Sequence, residues 1–196
     1  MTLLSNLLLF SPGHSGFSSY VRRVMPALPG MRLLIDGARG PVCRPGDSLP
    51  EESPSGALAL LARLSLTQHG VYVGKALAVA GLKPSEIEAV YSPFCDALFA
   101  LPEVPQVITC HDLTPLHFPN SRRAAWRYRF WNPGHLRQAR RLIAISRFVA
   151  DQLIEIGLPG DRINVVPNGI GIVGRARSEP GGKDLLMLAR HDGNKN

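Results

Sequence analysis

The sequence predicts an α/β fold built on a doubly wound parallel sheet. Short β-branched, apolar runs alternate with segments of helical periodicity, which favours parallel strands joined by crossover helices. Three such runs, at residues 107–110, 142–145 and 163–166, each lead into a polar loop. Ligands of open α/β sheets bind where the strands end. The same pattern therefore predicts a binding site at this edge of the sheet.

The first half of the chain predicts a strand, a loop, a helix and a second strand, at residues 3–10, 11–18, 19–28 and 31–35. The apolar start is too short to span a bilayer, so a buried first strand is the better interpretation. Residues 38–55 are rich in Pro, Gly and Ser and predict a long surface loop. A helix is expected over residues 56–66, with 74–81 as a continuation.

The second half predicts four strands, at residues 88–92, 107–110, 142–145 and 163–166. A helical region over residues 122–141 is expected to break at Asn132-Pro133-Gly134. A further helix over residues 147–156 has Ser146 as its N-cap and Gly157 as its C-terminal stop. Together these elements indicate one Rossmann-like domain over residues 1–170.

Composition limits the class of protein. The 196 residues are 45% hydrophobic, enough for a substantial core, and no segment approaches 18 uncharged apolar residues. Cys43, Cys95 and Cys110 lack metal-site spacing and predict neither a disulfide framework nor a zinc site, which favours a reducing compartment. The net charge of +7 fits an anionic partner, whether phosphate, nucleic acid or an anionic membrane.

His111 and Asp112 are the strongest polar candidates, because they follow the strand over residues 107–110 directly. Two interpretations are open. His111 either donates to a sugar hydroxyl or places its backbone carbonyl near a reacting carbon, or it is a turn histidine whose ring is satisfied by Asp112. His117 and His135 have no comparable setting and are expected at the surface.

Gly13 and Gly16 lie in the loop after the first strand. Glycine lets backbone N–H groups approach a ligand closely, and a helix N-terminus favours negative charge. The spacing is neither a dinucleotide-binding fingerprint nor a P-loop. A tight turn without a ligand is the alternative.

Residues 122–147 contain eight arginines and no acidic residue, interleaved with Trp126, Tyr128, Phe130 and Trp131. Three interpretations are open: a solvated basic face, a surface for anionic lipid or phosphate, and a nucleic-acid surface. No RNA- or DNA-binding motif is present, so nucleic acid is not the expected partner. The candidate membrane or acceptor surface comprises Arg122, Arg123, Trp126, Arg127 and Arg129.

Arg190 and Lys195 follow an apolar run at residues 185–189. A guanidinium and an ammonium near the end of a strand suit a diphosphate. A basic surface loop is the alternative.

Five motifs occur together in a fixed order: SPGHSG at residues 11–16, VITCHDLTPL at 107–116, LIAIS at 142–146, VVPNGI at 165–170 and LARHDGNKN at 188–196. With them the chain resembles the N-terminal half of retaining glycosyltransferases of family 4, which have the GT-B fold. The similarity is greatest to bacterial mannosyltransferases and related enzymes of surface polysaccharide synthesis.

The resemblance implies two Rossmann-like domains with a cleft between them. A nucleotide-diphosphate sugar binds mainly to the second domain, and a glycan or lipid-linked acceptor binds to the first. The Gly16 loop would lie against the donor phosphates, His111 would contact the donor sugar, and Arg190 and Lys195 would hold the diphosphate. The resemblance also places Gly13, Asp112, Ser146 and Asn168 in the substrate-binding set. Neither a metal nor another cofactor is expected.

The same resemblance divides the chain into a first domain (1–170), a linker (171–184) and the first strand and loop of a second domain (185–196). The two-glutamate motif of the family would lie beyond Asn196, and Ala189 replaces a usual glycine. We therefore expect this chain to transfer little sugar by itself, whether it is a truncated gene product, a fragment or part of a split enzyme.

The predicted function is retaining transfer of a mannose-like hexose to a glycan or lipid-linked acceptor. The expected location is the cytoplasm, with peripheral contact at the inner face of the plasma membrane. Two alternatives remain open: a non-catalytic module that binds an acceptor or an anionic membrane, and a GT-B protein similar to nucleotide-sugar epimerases.

Overall fold

The computed structural model describes residues 2–13, 15–37, 39–46, 49–51, 56–63, 68–118 and 121–169. Seven strands form one sheet in the order β3-β2-β1-β4-β5-β6-β7. Their bounds are Thr2–Leu7 (β1), Arg32–Gly37 (β2), Gly40–Pro45 (β3), Ile87–Ser92 (β4), Gln106–Cys110 (β5), Arg141–Ala144 (β6) and Ile163–Val165 (β7).

The described helices are Gly16–Val24 (α1), Gly56–Arg63 (α2), Gly70–Val79 (α3), Thr114–His117 (α4), Arg122–Trp126 (α5), Asn132–Gln138 (α6) and Arg147–Glu155 (α7). A π-helical turn, Arg127–Trp131, joins α5 to α6. Short 3₁₀ turns lie at Met25–Ala27, Pro84–Glu86 and Gly160–Arg162. Within the described residues, no helix is both long and apolar enough to cross a bilayer.

The sheet is parallel except for β3, and it is wound in two directions. From β1 the chain adds β2 on one side, then returns to add β4 on the other side of β1 and continues outward to β7. The predicted doubly wound, Rossmann-like α/β fold is therefore confirmed. The reversal between β1 and β4 is the topological switch point, where such sheets bind ligands.

The predicted surface loop at residues 38–55 is wrong in part, because β3 lies within it. β3 pairs antiparallel with β2, with Leu34 opposite Cys43. The prolines at both ends of the pairing, Pro41 and Pro45, obscured the strand in the sequence. They are tolerated because β3 is an edge strand and need not donate a complete ladder of hydrogen bonds.

Both faces of the sheet carry core. One cluster, built on Leu7, Val21 and Leu33, packs α1 against β1 and β2. On the opposite face, Leu4 and Leu77 centre a cluster under α3, and a third cluster packs α6 and α7 against β5 and β6. Cys110 is fully buried in that third cluster.

Capping residues set several helix boundaries. Ser146 caps α7, because its Oγ accepts from the Val149 N–H at 3.2 Å. Gly157 follows α7 with a φ of +87°, so both predictions are confirmed. Helix α1 begins at Gly16 instead of residue 19, because the Ser15 Oγ accepts from the Ser18 N–H at 3.1 Å.

Two predicted helix features are wrong. Residues 74–81 do not continue α2, because α3 begins separately at Gly70 with His69 as its N-cap. The helical region does not break at Asn132-Pro133-Gly134. The Asn132 N–H bonds to the Arg127 carbonyl, five residues back, and α6 then begins with Pro133 in its first turn, where a missing N–H is tolerated.

The expected linker (171–184) and the first strand of a second domain (185–196) lie outside the described residues, as do Arg190 and Lys195.

Gly157→Ala should destabilise the protein by about 1 kcal/mol, because an L side chain is disfavoured at positive φ. Gly74→Ala is the matched control within α3, where an added Cβ meets nothing within 4 Å. It should stabilise the protein by about 0.5–1 kcal/mol. Urea denaturation measures both, and equal effects of the two substitutions would contradict the assigned conformation at Gly157.

Candidate functional site

Loops from three neighbouring strands meet at the switch point and enclose a cavity of about 240 Å³. The loop after β1 and the start of α1 form one side, and the loops after β4 and β5 form the floor. The helix over residues 122–138 forms the remaining side. The described lining residues are Leu9, Phe10, Ser11, Ser15, Phe17, Ser18, Phe94, Cys95, Asp96, His111, Asp112, Arg127, Tyr128 and Asn132.

His111 lies at the carboxyl end of β5, with its ring packed against two aromatic side chains. Phe17 and Tyr20 contact the ring edge-on, with centroids at 5.0 and 4.5 Å. Its Nε2 lies 2.9 Å from the Pro93 carbonyl oxygen. Because a carbonyl only accepts, Nε2 carries the proton, and Nδ1 is the acceptor nitrogen of the neutral ring. Burial lowers the pKa of His111, although the Pro93 bond and the Asp112 charge oppose this shift.

Asp112 does not satisfy the His111 ring, in contrast to the turn interpretation. Its Oδ1 accepts instead from the Thr114 N–H at 3.2 Å, which orders the start of α4. The Asp112 side chain is exposed and lines the cavity. The two residues therefore line the cavity without a hydrogen bond between their side chains.

Asp96 and Arg127 form an ion pair in the cavity wall. The Arg127 Nη2 lies 3.0 Å from Oδ1 and 2.9 Å from Oδ2 of Asp96. The Asp96 side chain is 5% exposed and that of Arg127 is 42% exposed. A buried carboxylate needs such a partner, so the pair fixes how the arginine lies beside the cavity.

Two further titratable groups of the cavity stay protonated. Hydrogen bonding to Cys110 and burial raise the pKa of the Cys95 thiol well above its usual value. Burial likewise raises the pKa of the Tyr128 phenol. Cys95 is therefore a poor nucleophile, and Tyr128 can donate a hydrogen bond at neutral pH.

Asn132 and His135 lie one turn apart on α6, and both are buried. The Asn132 Oδ1 has no hydrogen-bond partner among the described residues. The prediction that His135 is a surface residue is wrong: it is 1% exposed, and its Nδ1 accepts from the Ala97 N–H at 2.9 Å. This bond ties α6 to the loop after β4. His117 is exposed, as predicted.

Other predicted site residues lie apart from this cavity. Gly16 and Asn168 line a larger groove of about 1100 Å³ beside α1, on the sheet face that carries Tyr91 and Val107. Gly13 is exposed, with a φ of +150°. Ser146 serves as the cap of α7. Tyr20 connects the two cavities, since it lines the groove and packs on His111.

The arginine-rich and aromatic residues of the segment 122–147 contribute to two different surfaces. Arg127 and Tyr128 line the cavity. Trp126, Phe130 and Trp131 are 56%, 64% and 42% exposed, and the ring of Trp126 lies within 6.2 Å of both others. Arg122 and Arg129 are exposed as well, whereas the side chain of Arg123 lies outside the described residues.

Sequence reasoning missed Asp96 and Asn132 as site residues. Asp96 follows β4 by only four residues, and an acidic residue in a loop after a buried strand was the available signal. Asn132 was interpreted only as part of a helix break. Nothing in the sequence shows that Arg127 pairs with Asp96.

Residues 82–172, slightly less than half of the chain, match the family model described as Glycosyltransferase Family 4. The matched segment spans β4 to β7 and contains Asp96, His111, Arg127 and Asn132. The match supports a glycosyltransferase family 4-type domain, in agreement with the motif resemblance. No curated protein is similar enough to the chain to count as a match.

Arg127→Met should lower the free energy of unfolding by about 2 kcal/mol, because it leaves the buried Asp96 carboxylate unpaired. Adding Asp96→Asn should recover part of this loss. Arg129→Met, which removes an exposed arginine two residues away, should change stability little. Urea denaturation at neutral pH tests all three. A double variant no more stable than Arg127→Met would show that the pair is not the cause.

Proposed function

We propose that this domain is the acceptor side of a glycosyltransferase that moves a sugar from a nucleotide diphosphate to an acceptor hydroxyl. The observation that carries the proposal is a neutral histidine at the switch-point cavity, inside the segment that matches the family. Cavities at this position of a doubly wound sheet are the usual ligand sites.

In the proposed reaction, the Nδ1 of His111 accepts a hydrogen bond from a hydroxyl of the donor sugar. Its Nε2–H is already donated to Pro93, so the ring offers an acceptor. The lowered pKa keeps it neutral at pH 7. The bond from the sugar C1 to the phosphate oxygen breaks with its electron pair on the diphosphate. The acceptor oxygen bonds to C1 from the same face, and its proton passes to the departing phosphate.

The start of α1 suits the donor phosphates. Gly16 is the first residue of this nine-residue helix, and a Cβ added there meets no described atom within 4 Å. Since its φ is not in the left-handed region, the fold itself does not require glycine at this position. Open space beside a helix N-terminus favours an anion. By resemblance, Arg190 and Lys195 would complete the diphosphate site.

The finer assignment rests on the motif resemblance alone. It comprises retention of configuration, a mannose-like hexose, a glycan or lipid-linked acceptor, and a cytoplasmic role in bacterial surface polysaccharide synthesis. The proposed chemistry assigns no role to a metal or another cofactor, because the diphosphate charge would be stabilised by backbone N–H groups and cations.

His111→Ala should lower transfer by about 100-fold, the scale of one positioned group at a reacting centre. The assay completes the 196-residue chain with the remainder of the donor-binding domain of a family 4 glycosyltransferase, supplies simple glycosides as acceptors, and measures nucleotide release from a panel of nucleotide-diphosphate sugars. His117→Ala, at an exposed histidine, is the matched control. The proposal fails if the folded fusion releases no nucleotide with any donor, and the role of His111 fails if its replacement leaves the rate unchanged.

A second candidate function, binding to an anionic membrane, is favoured by the exposed aromatic cluster. Trp126, Phe130 and Trp131 form an aromatic patch beside Arg122 and Arg129. Exposed aromatic rings with neighbouring arginines suit a lipid interface, where the rings enter the headgroup region and the cations meet anionic lipid. Such binding would place the cavity near a lipid-linked acceptor.

Replacing Trp126 and Phe130 together by Ala should reduce binding to vesicles about tenfold or more, because two rings lose their burial in lipid. Sedimentation with phosphatidylcholine vesicles, with and without phosphatidylglycerol, measures the bound fraction. Phe148→Ala is the matched control, because Phe148 is 70% exposed but lies on α7. Binding that is indifferent to phosphatidylglycerol, or equally weakened by Phe148→Ala, would contradict this second function.

A further inference from the structure

We propose that Tyr20 is a positioning residue that holds the His111 ring at a fixed place relative to the start of α1. Its ring packs on His111, and its hydroxyl lies against the hydroxyls of two strand residues. The consequence for transfer rests on the proposed function, in which α1 and His111 both contact the donor. The hold of Tyr20 on His111 does not rest on it, and it can be measured in the 196-residue chain without any sugar.

Three hydroxyl groups form a hydrogen-bonding network where α1 meets the sheet. The Tyr91 Oη lies 2.9 Å from the Tyr20 Oη and 3.0 Å from the Thr109 Oγ1. The third distance, between the Tyr20 Oη and the Thr109 Oγ1, is 3.4 Å. A hydroxyl has one proton and two lone pairs, so each member of this hydroxyl network can donate once and still accept. Burial raises the pKa of the Tyr91 phenol, which therefore keeps its proton for the network.

The hydroxyl network joins α1 to the two strands that lead to the cavity. Tyr91 lies on β4, and Thr109 lies on β5, two residues before His111. Thr109 and His111 both contact Tyr20, as expected of residues two apart along a strand, which share one face of the sheet. Because Thr109 is fully buried, the network fastens Tyr20 to the interior of the sheet.

Tyr20 restrains the His111 ring more firmly than its neighbour on α1 does. The Tyr20 and His111 rings are nearly perpendicular, at 88°, with their centroids 4.5 Å apart, an arrangement that aromatic rings favour. Phe17 makes a similar contact at 5.0 Å, but it is 40% exposed and has no group that could bond to the strands. The bond from His111 Nε2 to Pro93 fixes one edge of the ring, and Tyr20 restrains the rest.

Tyr20 also relates His111 to the proposed phosphate site. Gly16, the first residue of α1, precedes Tyr20 by four residues, which is about one helical turn or roughly 6 Å along the axis. Both residues line the 1100 Å³ groove. In the proposed reaction the diphosphate lies beside Gly16 and the sugar against His111. A fixed spacing between them places the bond that breaks, and a misplacement of about 1 Å can cost roughly 100-fold in rate.

The titration of His111 reports on this packing. Burial is the largest cause of its lowered pKa, and the Asp112 charge opposes it. The titratable and charged groups around the ring are Tyr20 on α1, Cys95 and Asp96 after β4, Asp112 after β5, and Arg127 and Tyr128 in the π turn. Removing the Tyr20 ring admits water and leaves every one of these charges in place. The pKa of His111 should then rise towards its ordinary value of 6.5.

Tyr20→Leu tests the contact, with NMR titration of the imidazole rings in the 196-residue chain and His111→Ala to identify the signal. The pKa of His111 should rise by about 0.5 or more in Tyr20→Leu and stay unchanged in Tyr20→Phe, which keeps the ring. Tyr72→Leu, at a tyrosine that is 39% exposed on α3, is the matched control. A merely structural role for Tyr20 would lower the melting temperature without moving this titration.

Tyr20→Phe and Tyr91→Phe test the hydroxyl network in the fusion used to assay transfer. Each removes one hydroxyl and keeps its ring, and each should lower kcat about threefold to tenfold at saturating donor. The double variant should lose little more than one single variant, because both break the same network. Tyr72→Phe should leave kcat unchanged. Because the neutral His111 ring is the proposed acceptor, Tyr20→Leu should also move the acid limb of kcat to higher pH.

The outcomes separate this inference from the proposed function. If Tyr20→Leu folds and the His111 titration does not move, or if both phenylalanine variants of an active fusion keep the original kcat, Tyr20 is not a positioning residue and the transferase stands. Losses that multiply in the double variant would also overturn the network. If Tyr20→Leu does not fold, the phenylalanine variants decide. A fusion that transfers nothing, with the His111 titration moved by Tyr20→Leu, would refute the transferase and leave the hold of Tyr20 on His111 standing.

Discussion

The parallel pairing of β1 with β4 is the constraint on which the site depends. It joins strands about 85 residues apart along the chain, with Leu4 opposite Val90, and it creates the point where the sheet reverses direction. Buried Asn6 reinforces the pairing, since its Nδ2 donates to the Ser92 Oγ and the Asp96 carbonyl, each at 3.3 Å. Because both strands end at the same edge, the loops after β1, β4 and β5 surround one cavity. A change of register by one residue would turn the polar groups away from it.

The π turn is the second feature with consequences for function, because it gives one short helical region two surfaces. Arg127 and Tyr128 face the cavity, while Trp126, Phe130 and Trp131 stay exposed. π turns are rare and are often found at functional sites. Here the first residue of the turn carries the guanidinium that pairs with the buried Asp96, and a patch of aromatic rings lies outside. The cavity and the proposed lipid-binding surface therefore both use residues of the same local irregularity.

The charges of the cavity side chains and the hydrogen bonds that fix its loops act together. Gln106 fixes the loop after β4, because its Oε1 accepts from the Leu98 N–H at 2.8 Å and its Nε2 donates to the Leu98 and Leu101 carbonyls. Within that fixed loop, Pro93 orients the His111 ring and Asp96 orients Arg127. The histidine is neutral, the thiol and phenol are protonated, and the carboxylates outnumber the guanidinium. Such a cavity suits hydroxyl groups, as the proposed contact of His111 with a sugar hydroxyl requires.

The sequence by itself determined the alternation of strands and helices, the caps at Ser146 and Gly157, and His111 at a strand end. Each of these follows from interactions within a few residues, such as periodic burial, a serine oxygen bonding a nearby N–H, or a glycine that accepts positive φ. Only the tertiary structure decided that β3 pairs as an edge strand, that His135 is buried, and that Asp96, Arg127 and Asn132 meet His111. Those outcomes depend on contacts between segments distant in sequence, where packing and the pairing of a buried charge outweigh local preference. The π turn was also decided by the tertiary structure, because nothing in the sequence of residues 127–131 indicates that Arg127 pairs with Asp96.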